Sequence, residues 1–352
     1  MFKKFTVLLV STVLLFACQK NEQTPVAEQT TVAKIKERFQ TPRNEADNID
    51  SPSFWAGQNQ KPWLLATAKV TDVIVVNDAT NGEEIKRIGG SGQESGQFSR
   101  PNGIFVTDDL VLVVERDNRR VQVMRLPEFK TLGFLQGESQ LMKPYGIFVM
   151  KTGANAYRAY ITDNYETADE QIPPDAELGE RVYIYEFTVQ NDSLQWELKK
   201  KFGATSGDGV LRVVESVYGD PVHDRLFVAE EDETQTSVKI YNMAGEFTGP
   251  VLGRGLFQSQ VEGITLYKTG EKTGYWIVTD QGKGENTFHL FDRLTLQHLG
   301  AFSGENTLNT DGVWLTQMAF GNFPEGAFFA VHDDGNVSAF DWKIITNVLN
   351  LK

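Results

Sequence analysis

The feature that most constrains this chain is a strand unit repeated six times. Each copy opens with a polar residue, usually followed by Gly or Ser, at the head of an apolar run. The six heads are Asp50-Ser51, Asn102-Gly103, Tyr145-Gly146, Glu215-Ser216, Glu262-Gly263 and Asp311-Gly312. A second apolar run ending in polar side chains follows each head, at Thr67-Ala68-Lys69, Val114-Glu115-Arg116, Thr162-Asp163-Asn164, Ala229-Glu230-Glu231, Thr279-Asp280-Gln281 and Val331-His332-Asp333. A third run alternates, as in Val182-Tyr183-Ile184-Tyr185, and a weaker fourth follows in most copies, as in Glu84-Ile85-Lys86-Arg87-Ile88. Short runs rich in Val, Ile, Phe and Tyr, bounded by Gly, Asn and Asp, mark an all-β chain. Units of roughly 45–50 residues match a propeller blade, and radial repetition leaves only short sheet edges. The sequence therefore predicts an all-β, six-bladed β-propeller over residues 39–352, with two packed sandwiches as the alternative. For the ring to close, the segment around Ile35 to Arg43 has to pair with the last unit. The stretch Tyr165 to Pro174, in the longest gap between heads, reads as an inserted surface loop.

In a propeller the strand nearest the axis starts at one face and the next strand returns to it. Heads and second-run tails therefore meet around one mouth. That mouth collects Asp50, Lys69, Asn102, Arg116, Tyr145, Asn164, Glu215, Glu230, Glu231, Glu262, Gln281, Asp311 and Asp333, with several carboxylates and only two cations. Carboxylates facing one another repel unless a cation lies between them, and hard oxygen donors suit calcium, which takes 6–8 oxygens. Four histidines and no cysteine in the body argue against zinc or copper. The plainer alternative is that these carboxylates are solvated strand ends.

The N-terminus carries Lys3 and Lys4 and then an apolar run from Phe5 to Phe16, as in a signal peptide. The run is shorter than the roughly 20 residues that a membrane-spanning helix needs. Leu15-Phe16-Ala17-Cys18 resembles a bacterial lipobox, and Cys18 is the only cysteine of the 352 residues. The expected organisation is a signal peptide at 1–17, then a lipidated Cys18 and a polar tether over 18–38 that is too poor in apolar residues to fold. Gln19, where Asp would be a retention signal, favours an outer-membrane anchor facing the periplasm or the exterior. The formal charge of −13, falling to about −15 once Lys3 and Lys4 are removed, excludes nucleic acid as a partner. A monomer is expected.

With these residues in view, the chain resembles the calcium-dependent β-propeller phytases over residues 40 to 350. Asp50-Ser51-Pro52-Ser53-Phe54-Trp55 is similar to the Asp-Asp-Pro-Ala-Ile-Trp box that opens the family's first blade. Thr67-Ala68-Lys69, Tyr145-Gly146, Ala229-Glu230-Glu231-Asp232-Glu233, Glu262-Gly263-Ile264-Thr265-Leu266-Tyr267, Gln281-Gly282 and Thr310-Asp311-Gly312 continue the series in order. The resemblance implies hydrolysis of phosphomonoesters on phytate, the hexakisphosphate of inositol, with Ca2+ as cofactor. It implies that Lys69, Arg116 and Tyr145 contact phosphate, and that Glu215 serves both catalysis and metal binding. Asp50, Glu215, Glu230, Glu231, Glu262, Gln281 and Asp311 would hold calcium directly or through water. Bound calcium would also reverse the sign of an acidic mouth that otherwise repels a polyanion.

Three positions depart from the family pattern. Ser51 replaces the second aspartate of the opening box, and Asn164-Tyr165 replaces a Lys-Glu pair. Gln260 stands where an aspartate is expected. The segment Gly89 to Phe98, followed by Pro101-Asn102-Gly103-Ile104, resembles the repeat of NHL-type propellers, so a non-catalytic binding platform is an alternative. Another calcium-dependent propeller hydrolase, lactonase-like, is a third. The glycines of that segment read as an inter-blade turn.

Overall fold

The structure is a computed structural model and describes residues 32–58, 61–136 and 141–351, which fall in one unit, Thr31–Lys352. Six antiparallel sheets follow one another along the chain, and each begins at the axis and steps outward. The innermost strands are Ile49–Trp55, Pro101–Thr107, Pro144–Lys151, Val214–Asp220, Gln260–Lys268 and Val313–Thr316. Each packs beside the next, and the sixth packs beside the first. The predicted six-bladed β-propeller is the fold observed.

Burial explains why the first three strands of each blade read strongly in the sequence and the fourth, although present as expected, more weakly. Leu110–Glu115 is buried at all six positions, because blades pack face to face and cover both sides of a middle strand. The outer strand Glu84–Gly89 is mostly exposed, and its neighbour on the inside still reads as apolar. The core is accordingly a ring of inter-blade clusters. Trp276 is fully buried and stacks on Phe227 of the preceding blade at 3.8 Å between centroids.

The ring closes at residues 33–41. Phe39–Gln40 pairs antiparallel with Asn336–Asp341 of the last blade, as the closure argument requires. The overlap of the expected tether with the described residues is 32–38, and within it Ala33–Ile35 is a strand, parallel to His298–Gly304 of blade five. Ile35 fills an apolar cluster with Phe302 and Trp342, which fixes this short segment despite its polar surroundings. The residues before it, including the expected signal peptide and Cys18, lie outside the described residues.

Glu37 anchors the seam. Its buried carboxylate accepts from the Asn306 and Thr307 amides, both at 2.9 Å, from Thr307 Oγ1 at 2.7 Å and from Asn306 Nδ2 at 3.2 Å. Burial alone would raise its pKa, yet these donors hold it below the usual value. Glu37→Ala leaves buried donors unpaired, so a loss of about 3 kcal/mol is expected in chemical denaturation. Glu37→Gln should lose less than half of that.

Candidate metal centre and active-site mouth

The heads of the six inner strands form a ring around the axis, and backbone crowding sets its radius. A Cβ on Gly146 would lie 2.1 Å from the Glu215 carbonyl oxygen, and one on Gly312 would lie 2.6 Å from that of Asp50. Small residues after each head are therefore a packing requirement. Two threonines tie the ring together. Thr67 Oγ1 accepts from the Ser51 amide at 3.1 Å and donates to the Asn102 carbonyl at 2.5 Å. Thr162 Oγ1 accepts from the Gly146 amide at 2.8 Å and donates to the Glu215 carbonyl at 2.6 Å.

Behind the ring the axis narrows to a cavity of about 50 Å³. Phe105, Tyr218 and Trp314 are among its lining residues, with Phe105 and Trp314 centroids 4.9 Å apart and Phe148 packing on Tyr218 at 4.9 Å. The ring thus forms the floor of a mouth that opens at one face.

One side of the floor is an ion-pair knot. Lys69 Nζ lies 2.9 Å from Asp50 Oδ2 and 3.1 Å from Asp311 Oδ2. Tyr145 donates its hydroxyl to Asp50 Oδ2 at 3.2 Å, Asn102 Nδ2 reaches the same oxygen at 3.4 Å, and Ser51 Oγ donates to Asp50 Oδ1 at 2.7 Å. Gln281 Nε2 donates to Asp311 Oδ1 at 2.5 Å. The other side is anionic: Glu215, Glu231 and Glu262 each offer a carboxylate oxygen, and these oxygens lie within 4.8 Å of one another. Among the described residues, Glu231 Oε1 is buried with no hydrogen-bond partner, as is Asn102 Oδ1.

The electrostatics follow from this crowding. Burial, then the neighbouring Asp50, pushes Glu215 up to about 7. Burial raises Asp311 to about 8, with Lys69 opposing and Asp50 and Glu215 adding to it. Burial and then Glu215 push Glu231 well above the carboxylate range, and burial, Glu231 and Glu215 do the same to Glu262. Burial lowers Lys69, but Asp50 and Asp311 outweigh it and keep the ammonium charged. Burial and the same carboxylates hold the Tyr145 hydroxyl protonated.

Not every residue collected at the mouth by the sequence reaches the floor. Glu230 points the other way, because successive side chains of a strand face opposite sides. Its carboxylate accepts from the amides of Arg212 at 2.7 Å, Val213 at 2.9 Å and Asp232 at 3.1 Å. Asp163 and Asp280 do the same for the loops entering their own blades. Glu231, the next residue, is the one that faces the centre. Arg116 stands at the rim and pairs with Asp117 at 2.7 Å, while Asp333 pairs with Arg43 at 2.7 Å. Asn164 Oδ1 accepts from the Val214 amide at 3.3 Å. Glu166 pairs with Lys143, so a cation does stand near Asn164.

Asp334 was missed by sequence reasoning. Burial raises its carboxyl, with the charge of Lys69 opposing and those of Asp333 and Asp50 adding, so it shares the knot's electrostatic field. Its adjacency to Asp333 in an acidic pair was the available signal. The glycine-rich segment forms the inter-blade turn: Gly92, Gln93 and Gly96 are bonded to Asn118, Arg120 and Gln122 of blade two.

Residues 209–347 match the model of the phytase family. That stretch spans blades four to six and contains Glu215, Glu231, Glu262, Gln281 and Asp311, five of the floor residues. The resemblance to the phytase family drawn from the strand-head motifs therefore holds. No curated protein matches the chain. Among solved structures, Kuenenia stuttgartiensis hydrazine synthase is similar at 11% identity and a TM-score of 0.52, over 88% of this chain and 81% of that one. At that identity the likeness concerns the fold alone. A chain of a nidogen/laminin complex overlaps 76% of this chain and 84% of its own length at 15% identity, with a TM-score of 0.48.

Proposed function

We propose that this protein is a calcium-dependent phosphomonoester hydrolase acting on phytate or a related phosphate ester. The observation that carries the reading is the Glu215–Glu231–Glu262 cluster facing the Lys69 knot across one mouth. Three carboxylates this close, one with an unpartnered buried oxygen, fit a hard cation that accepts several oxygens. Asp50, Glu215, Glu231, Glu262 and Asp311 would hold it, with Gln281 contributing its carbonyl oxygen. Calcium so held supplies Lewis acidity toward phosphoryl oxygens and an activated water.

The remaining chemistry belongs to the side chains. Lys69 is fixed by two carboxylates as a permanent positive charge, aimed where negative charge grows on the phosphoryl group. Tyr145 keeps its proton and can turn its donor from Asp50 to a phosphate oxygen. Arg116, at the rim with an exposed partner, is placed to meet an incoming phosphate. On the same reading, Cys18 tethers the enzyme to the cell envelope; among the described residues no helix is long and apolar enough to cross a membrane.

The test is phosphate release from phytate and from simple phosphomonoesters, with calcium and after chelation. Release that requires calcium is expected; release of equal size in excess chelator would refute the metal-dependent reading. A pair of variants separates structure from metal. Glu230→Ala should cost about 3 kcal/mol of stability and lower the Tm with or without calcium, because three amides lose their acceptor. Glu231→Gln should leave the calcium-free Tm intact or higher and shrink the increment calcium adds.

A further inference from the structure

A polar pocket of about 470 Å³ adjoins the carboxylate floor between blades four, five and six. Its size lies within the ~300–1,000 Å³ of small-molecule sites. Thr236, Gln258, Ser259, Gln260, Gln281 and Asn309 supply most of its wall, all of them neutral hydrogen-bonding residues. Two of these touch the floor directly: Gln281 donates to Asp311, and Gln260 Nε2 reaches Glu231 Oε2 at 3.5 Å. The wall is pre-set, since Asp280 accepts from the Gln258 and Ser259 amides at 2.9 and 2.8 Å. The hydroxyls of Thr236 and Ser259 are not committed to any hydrogen bond among the described residues.

Charge on the pocket's own wall is sparse, although the wall abuts the carboxylate floor. Lys283 and Glu233 line it, one of each sign. Elsewhere at the mouth Lys69 is paired with Asp50 and Asp311, Arg116 with Asp117, Lys143 with Glu166, and Arg43 with Asp333, while Arg100, whose carbonyl accepts from the Arg116 amide on the far side of the ring, keeps a buried Nε with no partner among the described residues. A leaving group bearing many phosphates would bury or crowd charges that this wall cannot match, whereas hydroxyls find partners at every position.

We propose that this pocket receives the leaving group and that the leaving group is a hydroxyl-rich, otherwise uncharged one: a hexose or short polyol carrying a single phosphate. The inference rests on the phosphohydrolase reading and sharpens it. In the reaction, water's oxygen bonds to phosphorus as the bond from phosphorus to the sugar oxygen breaks. The bonding pair stays on the sugar oxygen, which takes a proton from that water, and inorganic phosphate is the other product. Thr236, Ser259 and Asn309 hold the sugar hydroxyls, and Lys283 faces the phosphate-bearing end.

The full chain would be assayed with calcium on glucose 6-phosphate, on p-nitrophenyl phosphate, which lacks hydroxyls, and on phytate. The double variant Thr236→Val/Ser259→Ala would be assayed alongside, with glucose 6-phosphate binding followed by calorimetry. Glucose 6-phosphate should show the highest kcat/KM of the three. In the double variant the ratio of its kcat/KM to that of p-nitrophenyl phosphate should fall about tenfold, through KM, with binding weakened by a similar factor. A preference for phytate, or a ratio that does not move, overturns the assignment. If no ester is turned over, including p-nitrophenyl phosphate, the hydrolase reading fails by itself. Calorimetry then decides the pocket: tenfold weaker binding in the variant retains its ligand class, and no binding to the unaltered chain removes it.

Discussion

Lys69→Met should abolish phosphate release, with kcat falling by about 10²–10³-fold at saturating calcium. The loss of one positioned charge next to a reacting phosphoryl group is worth that much in comparable sites. Lys69 is buried and is the only cation in contact with the floor among the described residues, so no neighbour can substitute. The same change should act on the fold in a way that separates it from a simple loss of packing. Removing one partner of a buried ion pair costs about 3–5 kcal/mol, because Asp50 and Asp311 are left facing each other. Calcium should recover most of that loss, making the Tm increment on calcium addition larger than in the unaltered chain. Turnover within twofold of normal would remove Lys69 from the chemistry.

Stability without calcium should fall as the pH rises from 5 to 8, opposite to the usual acid sensitivity of a carboxylate-rich protein. The sign follows from linkage. A carboxyl whose folded pKa lies above its unfolded one binds its proton more tightly when folded. Its contribution is fully present below the unfolded value near 4.5 or 3.8 and is lost as the pH passes the folded value. For Glu215 and Asp311 those folded values are about 7 and about 8, and Glu231 and Glu262 shift in the same direction. The expected loss is on the order of 3 kcal/mol, or roughly 5–10 °C in Tm. Calcium should cancel it, so that its stabilising increment is several-fold greater at pH 8 than at pH 5. A calcium-free Tm that is flat or rises across that range would contradict the buried cluster.

Much of this was legible because a propeller repeats its chemistry at fixed strand positions. The heads Asp50, Tyr145, Glu215, Glu262 and Asp311 could be placed together from their spacing and their small following residue alone. The tails were harder, for a reason that lies in strand geometry. Glu230 and Glu231 are both acidic, and composition cannot say which of two adjacent carboxylates faces the axis. Comparison across blades could have done so, since Lys69, Gln281 and Glu231 occupy equivalent positions while Asp163, Asp280 and Glu230 occupy the one before. Arg116 was expected at the mouth, and its pairing with Asp117 is a side-chain matter that no spacing reveals. Residues 33–38 looked too polar to fold because their partners, Thr307 and Phe302, lie far along the chain.

That distance has a consequence for how the molecule comes into being. Arg38 bonds Asp341 across 303 positions of sequence, and Glu37 reaches Thr307 across 270. Contacts of such long range form late, since the intervening chain must first be brought to order. During synthesis the opening strands therefore wait, unpaired, until the fifth and sixth blades have been made. Asp50 meets the sixth blade only at that moment, through its carbonyl and the Gly312 amide at 2.9 Å. The half of the floor that holds Lys69 between blades one and six is thus the last thing assembled. A chain cut short just before its final blade keeps the strands of five blades but lacks the Asp311 side of the floor.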